Sequence, residues 1–196
     1  SQIIREIRNF LHDREYMEVE TPTLQPVYGG AAAEPFTTHV DALDQEWYLN
    51  ISPELYLKRL IIGGYERIFE ITKNIRNESI DTTHNPEFTM MEVYQAYADY
   101  KDMMELPKQL YEHVAVEVTG SAEVEYDGET LDFSAPWPRM TMREAVQEYG
   151  GFDVKELSDD KIQERMSKHG AELDSDYERG PAIAELFEEI DDGDSI

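Results

Sequence analysis

Two charged residues and two polar ones form the first group of side chains that could bind a ligand or take part in a reaction. Arg76 and Glu78 are two residues apart at the end of a run that alternates apolar and polar side chains. Because alternate residues of a strand share a face, both can point the same way. The planar guanidinium of Arg76 matches the oxygens of a phosphate or a carboxylate, and His84 and Asn85 add hydrogen-bonding groups in the loop that follows. This group suits an anionic ligand.

A second group of side chains follows, whose members are two to four residues apart. Phe88, Glu92 and Tyr94 belong to another alternating run and share one face of it. Phe88 can stack on a flat ring, and Glu92 with Tyr94 can receive a cationic group. Taken singly, an Arg-x-Glu is usually a surface ion pair and a strand Phe is usually core. Taken together, the two groups indicate a pocket for a purine nucleotide beside an ammonium compound.

The composition limits the remaining chemistry. The chain has no cysteine, which excludes thiolate nucleophiles, disulfides, cysteine zinc sites and iron–sulfur clusters. With 40% hydrophobic and 11% aromatic residues over 196 positions, it is expected to fold, as one domain. No run of about 18 apolar residues is present, and the chain starts directly in a charged helical pattern. We therefore expect no membrane span, no signal peptide and a cytoplasmic location.

The charge is strongly acidic. Seventeen Lys and Arg against 43 Asp and Glu give a formal net charge of −26. Such a charge repels nucleic acid at physiological ionic strength and much less at molar salt, where the Debye length falls to about 3 Å. The acidic residues are spread along the chain, which favours a halophilic protein with a hydrated surface. An ordinary acidic surface is the alternative.

Two alternating runs predict the hairpin that positions the chemical groups. Residues 67–76 and 87–97 read as antiparallel strands, and the polar residues 77–86 form the loop between them. Glu70 and Asn74 lie on the same face as Arg76, away from the apolar side chains. The first strand is therefore expected to have a polar working face.

Helical spacing, caps and turn residues predict the other elements. They are, in chain order, a helix over residues 1–14, a strand over 17–21 ended by Pro22, a loop over 29–33, a strand over 47–51, a helix from Ser52-Pro53 with Ser52 as N-cap to Gly63-Gly64, a helix over 100–118 capped by Asp99, a hairpin turn at Asp127-Gly128, and helices from Thr141, over 158–169 and over 181–190. Most predicted strands lie in the first half of the chain and most predicted helices in the second half, without strand–helix–strand alternation. This predicts an α+β fold with a mainly antiparallel sheet flanked by helices.

The segment FEITKNIRNESIDTTHNPEFTMMEVYQAYADY, residues 69–100, resembles motif 2 of the class II aminoacyl-tRNA synthetases. Arg76-Asn77-Glu78 followed by HNPEFTMME is very close to the lysine-specific branch of that family. The upstream segments that extend the resemblance are REYMEVETPTLQP (14–26), similar to motif 1, and GGAAAEPFTTH (29–39) and SPELYLKRLIIGGYERIFEI (52–71), similar to the amino-acid-binding loop and helix. The resemblance is nearly continuous from residue 3 to about 106 and weaker beyond.

The resemblance implies roles in ATP binding and catalysis. Arg76 would bridge the lysine carboxylate and the α-phosphate of ATP, stabilising charge that develops at phosphorus. Glu78 would hold the adenine amino group, His84 and Asn85 would close over the triphosphate, and Phe88 would stack on adenine. No covalent nucleophile is implied, because the substrate carboxylate itself attacks.

The resemblance also implies a lysine site and partners. Gly30 and Glu54 would contact the α-amino group of lysine, Glu92 and Tyr94 would face its side-chain ammonium, and Arg76 would hold its carboxylate. The implied reaction is ATP-dependent activation of lysine to lysyl-adenylate and transfer to tRNA(Lys), in a homodimer formed through the motif 1 region. The family uses Mg²⁺ as well as ATP, but no residue of this chain is assigned as a metal ligand.

Compared with the family, this chain is expected to be a partial catalytic core. We treat residues 1–196 as a single domain, with motif 1, the lysine-binding helix and the motif 2 hairpin in 1–106 and a helical insertion and connecting region in 107–196. The anticodon-binding OB domain and motif 3 are not found in the sequence, so the sheet is expected to be incomplete at its C-terminal side. A piece of a longer synthetase, a naturally shortened gene and a chain completed by a partner are three explanations.

Other functions fit parts of the same pattern. A paralogue that lysylates elongation factor P also lacks the anticodon domain, although AYADYKDMMEL (residues 96–106) follows the synthetase version. Aspartyl and asparaginyl synthetases share the fold, but Glu54 and Glu92 suit a cationic substrate. A binding or dimerisation module without catalysis is the alternative from a different class.

Overall fold

In the computed structural model, the helical and alternating segments of the first 120 residues fold into one mixed unit. The structure describes residues 1–80, 84–134, 136–171, 173 and 176–191. The elements of this first unit are, in chain order, α1 (Gln2–His12), β1 (Met17–Glu18), β2 (Leu24–Gln25), β3 (Thr37–Val40), β4 (Gln45–Leu49), α2 (Glu54–Ile62), β5 (Arg67–Ile75), β6 (Glu87–Gln95) and α3 (Tyr100–Thr119).

The predicted hairpin is confirmed and forms the centre of this unit. β5 and β6 pair antiparallel along their whole length, from Arg67 opposite Gln95 to Ile75 opposite Glu87. β1 joins the other edge of β5 in parallel, which gives the order β1-β5-β6. β2, β4 and β3 form a separate antiparallel sheet. The predicted α+β class with mainly antiparallel pairing is confirmed, but the described strands belong to several small sheets.

The two faces of the hairpin have different environments. On one face Phe69 packs with α1 and α3 in a core whose buried members are Phe10, Leu11, Tyr16, Phe69 and Leu110. The opposite face carries Glu70 and Asn74 of β5, with Glu92 and Phe88 directly across from them on β6. Because Glu70 is 2% exposed and Asn74 is fully buried, part of the expected working face is structural.

Residues 121–196 form a second unit with a core of its own. Its elements are β7 (Glu123–Tyr126), β8 (Glu129–Asp132), α4 (Met142–Gly150), α5 (Asp159–His169) and α6 (Arg179–Asp191). Asp127 and Gly128 both have positive φ and form the predicted turn between β7 and β8. The three helices enclose buried apolar side chains such as Val146, Ile162 and Leu186.

Several predicted boundaries differ from those observed. The strand expected over 17–21 ends at Glu18, and the strand expected over 47–51 is Gln45–Leu49. Pro53 occupies the N-cap position of α2, while the Ser52 hydroxyl accepts a hydrogen bond from the Glu54 N–H at 3.1 Å. The predicted loop 77–86 includes residues 81–83, which lie outside the described residues.

The division into two units follows Gly120, whose left-handed conformation ends α3. From the sequence we expect a single domain, with motif 1, the lysine-binding helix and the motif 2 hairpin before residue 106 and a helical region after it. Residue 106 lies inside α3. Among the described residues, no helix is both long and apolar enough to cross a membrane.

Candidate active site

A cavity of about 220 Å³ opens at the end of the β5–β6 hairpin. It is lined by Arg76, Glu78, Ser79, His84, Asn85, Pro86 and Phe88. All five residues predicted for the nucleotide lie in this lining, because the hairpin brings the end of β5 beside the start of β6. Ser79 and Pro86 line it as well and were not predicted.

Arg76 is fixed at the inner wall of this cavity. Its backbone N–H donates to the Pro86 carbonyl at 2.8 Å, which extends the pairing one step past the strands. Its side-chain Nε donates to the Ile51 carbonyl at 3.3 Å, and its guanidinium carbon lies 5.0 Å from the centre of the Phe88 ring. Carbonyl and ring together orient the guanidinium plane.

The rest of the lining offers a ring and polar groups. Phe88 is half-buried, so one part of the ring is supported while another part remains accessible. Glu78, His84 and Asn85 are exposed. The cavity thus combines a cation, an aromatic surface and hydrogen-bonding groups, which are the features that a nucleotide requires.

A second group of polar side chains lies on the same face of the hairpin. Glu92 accepts two hydrogen bonds, from the Ser52 hydroxyl at 2.7 Å and from the Tyr94 hydroxyl at 3.0 Å. Burial raises the pKa of Tyr94, and the carboxylates of Glu92 and Glu54 raise it further. Tyr94 therefore stays a hydrogen-bond donor at neutral pH, and both oxygens of Glu92 are oriented.

Gly30 and Glu54 lie next to this group. A Cβ atom added to Gly30 would lie 2.8 Å from the Glu54 Cβ and 3.0 Å from the Ser52 Oγ, and Gly30 has a φ of +94°. Only glycine allows this close approach of the loop to the start of α2. The Glu54 carboxylate pairs with Lys58 at 2.6 Å. The structure thus places Gly30, Glu54, Glu92 and Tyr94 near one another, the four residues that the resemblance assigns to lysine together with Arg76.

The residues that support both groups were not predicted from the sequence. Ser52 was assigned only as a helix cap, yet its hydroxyl also binds Glu92. Asn50 donates to the Asn74 side chain at 3.0 Å, and both are buried. The signal in the sequence was a polar residue inside an apolar run. Such a residue indicates a buried hydrogen bond but does not identify the partner.

The described residues contain no cluster of three or more potential metal ligands. Over the ranges that the structure describes, three or more His, Asp or Glu side chains nowhere come close enough to hold an ion.

Several known proteins are similar to this chain over nearly its whole length. A lysine–tRNA ligase of Methanoculleus marisnigri is 53% identical over 189 residues, 96% of this chain and 37% of that protein. A lysine–tRNA ligase of Syntrophomonas wolfei is 51% identical over 97% of this chain and 39% of that protein. A lysine–tRNA ligase of Roseiflexus castenholzii is 52% identical over 94% and 38%. The chain thus spans less than two fifths of the length of these relatives.

A family model also matches this chain over most of its length. The family described as tRNA synthetases class II (D, K and N) matches residues 1–181, which is most of the 196-residue chain. This protein chain belongs to the class II tRNA synthetases of the D, K and N group.

Proposed function

We propose that this chain is the part of a lysine–tRNA ligase that binds ATP and lysine and joins them as lysyl-adenylate. The observation that carries the proposal is the oriented carboxylate of Glu92, held by Ser52 and Tyr94 on the same hairpin as Arg76. An oriented carboxylate suits the ammonium of lysine. The similar proteins named lysine–tRNA ligase support the same choice.

In this proposal the cavity at the hairpin end receives ATP. Phe88 stacks on adenine, Glu78 accepts from the adenine amino group, and His84 and Asn85 contact the triphosphate. Arg76 contacts the α-phosphate and the lysine carboxylate together, a role that the planar guanidinium with several donors can fill. The contacts of Arg76 to Ile51 and Phe88 orient it for this role.

Lysine occupies the second group of side chains. Glu92 and Tyr94 receive the side-chain ammonium, and Glu54 with the Gly30 backbone receives the α-amino group. Two carboxylates, Glu54 and Glu92, contribute to the electrostatic environment of Tyr94. This negative environment favours lysine over the other two amino acids of the family. Aspartate would be repelled, and the neutral amide of asparagine would be attracted less than an ammonium.

The reaction follows from this arrangement. A carboxylate oxygen of lysine attacks the α-phosphorus, the bond from that phosphorus to the bridging oxygen breaks, and pyrophosphate leaves. Arg76 stabilises the negative charge that accumulates on the phosphoryl oxygens, and the two pockets hold the reacting atoms in line. In the whole protein, tRNA(Lys) would then accept the lysyl group.

We also propose a homodimer, a larger catalytic core and adaptation to high salt. Exposed apolar side chains near the motif 1 segment, such as Met17 at 52% and Leu24 at 44%, support a homodimer through this region. The short sheets support a catalytic core that further strands and helices of a longer protein complete. We propose a cytoplasmic location for that protein. The acidic surface supports a halophilic protein.

Exchange of pyrophosphate into ATP tests the proposal, since it reports adenylate formation without tRNA. We expect exchange that depends on lysine and is much weaker with ornithine or arginine. Exchange driven by aspartate or asparagine in preference to lysine would contradict the proposal. A folded chain that neither catalyses exchange nor binds lysine would contradict it as well and would favour a binding or dimerisation module.

A further inference from the structure

Residues 50–52 lie between the two groups of side chains and touch both. The Ile51 carbonyl accepts the hydrogen bond from Arg76 Nε at 3.3 Å. The hydroxyl of the next residue, Ser52, donates to Glu92 at 2.7 Å. One short segment therefore contacts the arginine assigned to ATP and the glutamate assigned to lysine.

A pair of buried amides ties this segment to β5. The Asn50 side chain donates to Asn74 Oδ1 and to the Lys73 carbonyl, both at 3.0 Å. The Asn50 carbonyl accepts from the Ile75 N–H at 3.0 Å, and the Asn50 N–H donates to the Thr23 carbonyl at 2.9 Å. Asn50 is thus bonded through its backbone and its side chain.

This attachment is deeply buried. Asn50 is 1% exposed, Asn74 is fully buried, and Ile51 and Ser52 are 0% and 2% exposed. Asn50 Oδ1 and Asn74 Nδ2 are buried and have no hydrogen-bond partner among the residues that the structure describes.

We propose that Asn50 and Asn74 are a positioning pair that fixes residues 50–52 and so sets the relative placement of Arg76 and Glu92. The inference rests on the proposed function, because it assigns these two residues to ATP and to lysine. The pair touches neither substrate in this account. It keeps the two substrate sites in register, so its loss should weaken both together.

The test uses the whole chain with two single variants, Asn74→Ala and Asn50→Ala. Calorimetric titration with lysine and, separately, with ATP measures the two affinities. We expect both to fall by about tenfold or more, since small displacements of binding groups are costly. Amide hydrogen exchange gives a readout without ligand: the Ile75 and Glu54 amides, which donate to Asn50 and Ser52, should exchange faster in both variants.

Two further variants separate positioning from general destabilisation. Gln25→Ala removes another buried amide of the same unit, which donates to the Pro22 carbonyl at 2.9 Å, and it should lower the melting temperature while both affinities stay at the wild-type level. Ser52→Ala removes the hydroxyl that donates to Glu92 and accepts from the Glu54 N–H, while the Ile51 carbonyl that contacts Arg76 stays in place, and it should weaken lysine binding alone.

The possible outcomes are distinct. A folded Asn74→Ala or Asn50→Ala variant with wild-type affinities, or with only one affinity changed, would overturn the inference and leave the proposed function intact. Failure of both variants to fold would also overturn it, since the pair would then be a requirement of the fold. A wild-type chain that binds neither lysine nor ATP would overturn the proposed function and this inference with it.

Discussion

Glu70 and Glu92 lie directly opposite each other on β5 and β6, and each carboxylate has its own donors. Glu70 accepts from the Thr21 backbone N–H at 2.9 Å, while Glu92 accepts from the Ser52 and Tyr94 hydroxyls. Like charges in opposing positions destabilise a sheet. The pair thus concentrates negative charge at one point of the hairpin, where a cationic ligand would offset it.

Replacement of Arg76 tests the proposed catalytic residue. Arg76→Ala should lower the rate of lysine-dependent pyrophosphate exchange by about a hundredfold to a thousandfold, a loss typical of removing one charge-stabilising donor. Arg76→Lys should recover little, because an ammonium lacks the planar fork. Arg59→Ala is the control, since Arg59 also stacks on an aromatic ring, Tyr56, but lies on the exposed side of α2. Full exchange by Arg76→Ala would remove this residue from the mechanism.

Gly30 allows a test of the close approach between its loop and α2. Gly30→Ala would place a methyl group 2.8 Å from the Glu54 Cβ, so we expect lysine affinity to fall about tenfold or more. Gly64→Ala is the matched control: Gly64 also has a positive φ, but nothing lies within 4 Å of its added Cβ. Both variants should lose about 1 kcal/mol of stability from the left-handed backbone, and Gly30→Ala should lose more because its methyl group also clashes with Glu54. Equal lysine affinity in the two variants would show that the approach is unimportant for binding.

The stability of the second unit should depend on an ion pair at acidic pH. The Arg143 side chain and the Lys155 backbone N–H lower the pKa of Asp153 to about 2, whereas the pKa of an unfolded Asp is about 3.9. Between these values the unfolded chain binds a proton that the folded chain does not. The stabilisation is therefore complete above about pH 4 and disappears as the pH falls toward about 2.

Thermal unfolding of Arg143→Ala checks this pH dependence. The variant should melt below the wild type at neutral pH, and the difference should shrink as the pH falls from about 4 to about 2. Lys161→Ala, which changes another cation of the same unit on the exposed surface of α5, should show no such trend. A difference that is constant over this range would exclude the ion pair as its source.

Salt should raise the stability of the whole chain if its charge reflects adaptation to high salt. With a net charge of −26, repulsion within the folded protein should weaken as the Debye length shortens. We expect the melting temperature to rise steeply between about 0.1 M and about 2 M KCl, and far less in sucrose of equal osmolality. A flat response to KCl would leave an ordinary acidic surface as the explanation.

Local patterns explain which elements were predictable. The β5–β6 hairpin follows from side-chain alternation, and the start of α3 follows from Asp99 as N-cap. The return bond from Asp102, which completes a capping box, was not predicted. The Asp127-Gly128 turn follows from its residue types. β1 and β2 are two residues long and exist because of partners that lie far along the chain. No local pattern specifies such partners, so their boundaries were wrong or missing.

The candidate site was predictable for a related reason. Arg76, Phe88 and Glu92 have residue types and spacings that belong to one hairpin, so the strand pairing alone brings them to one face. The contact of Ser52 with Glu92 spans 40 residues. It depends on how the loop before α2 packs against β6, which the sequence of either segment does not determine.

Lysine binding by Glu92→Gln is the most direct test of the central claim that an oriented carboxylate recognises the ammonium of lysine. The amide keeps the shape of Glu92 and removes its charge. Titration calorimetry should show lysine affinity reduced about tenfold to a hundredfold, with ATP affinity unchanged. Glu87→Gln, which alters an exposed glutamate of the same strand paired with Lys73, should bind lysine normally. A folded Glu92→Gln variant that binds lysine as tightly as the wild type would contradict the account.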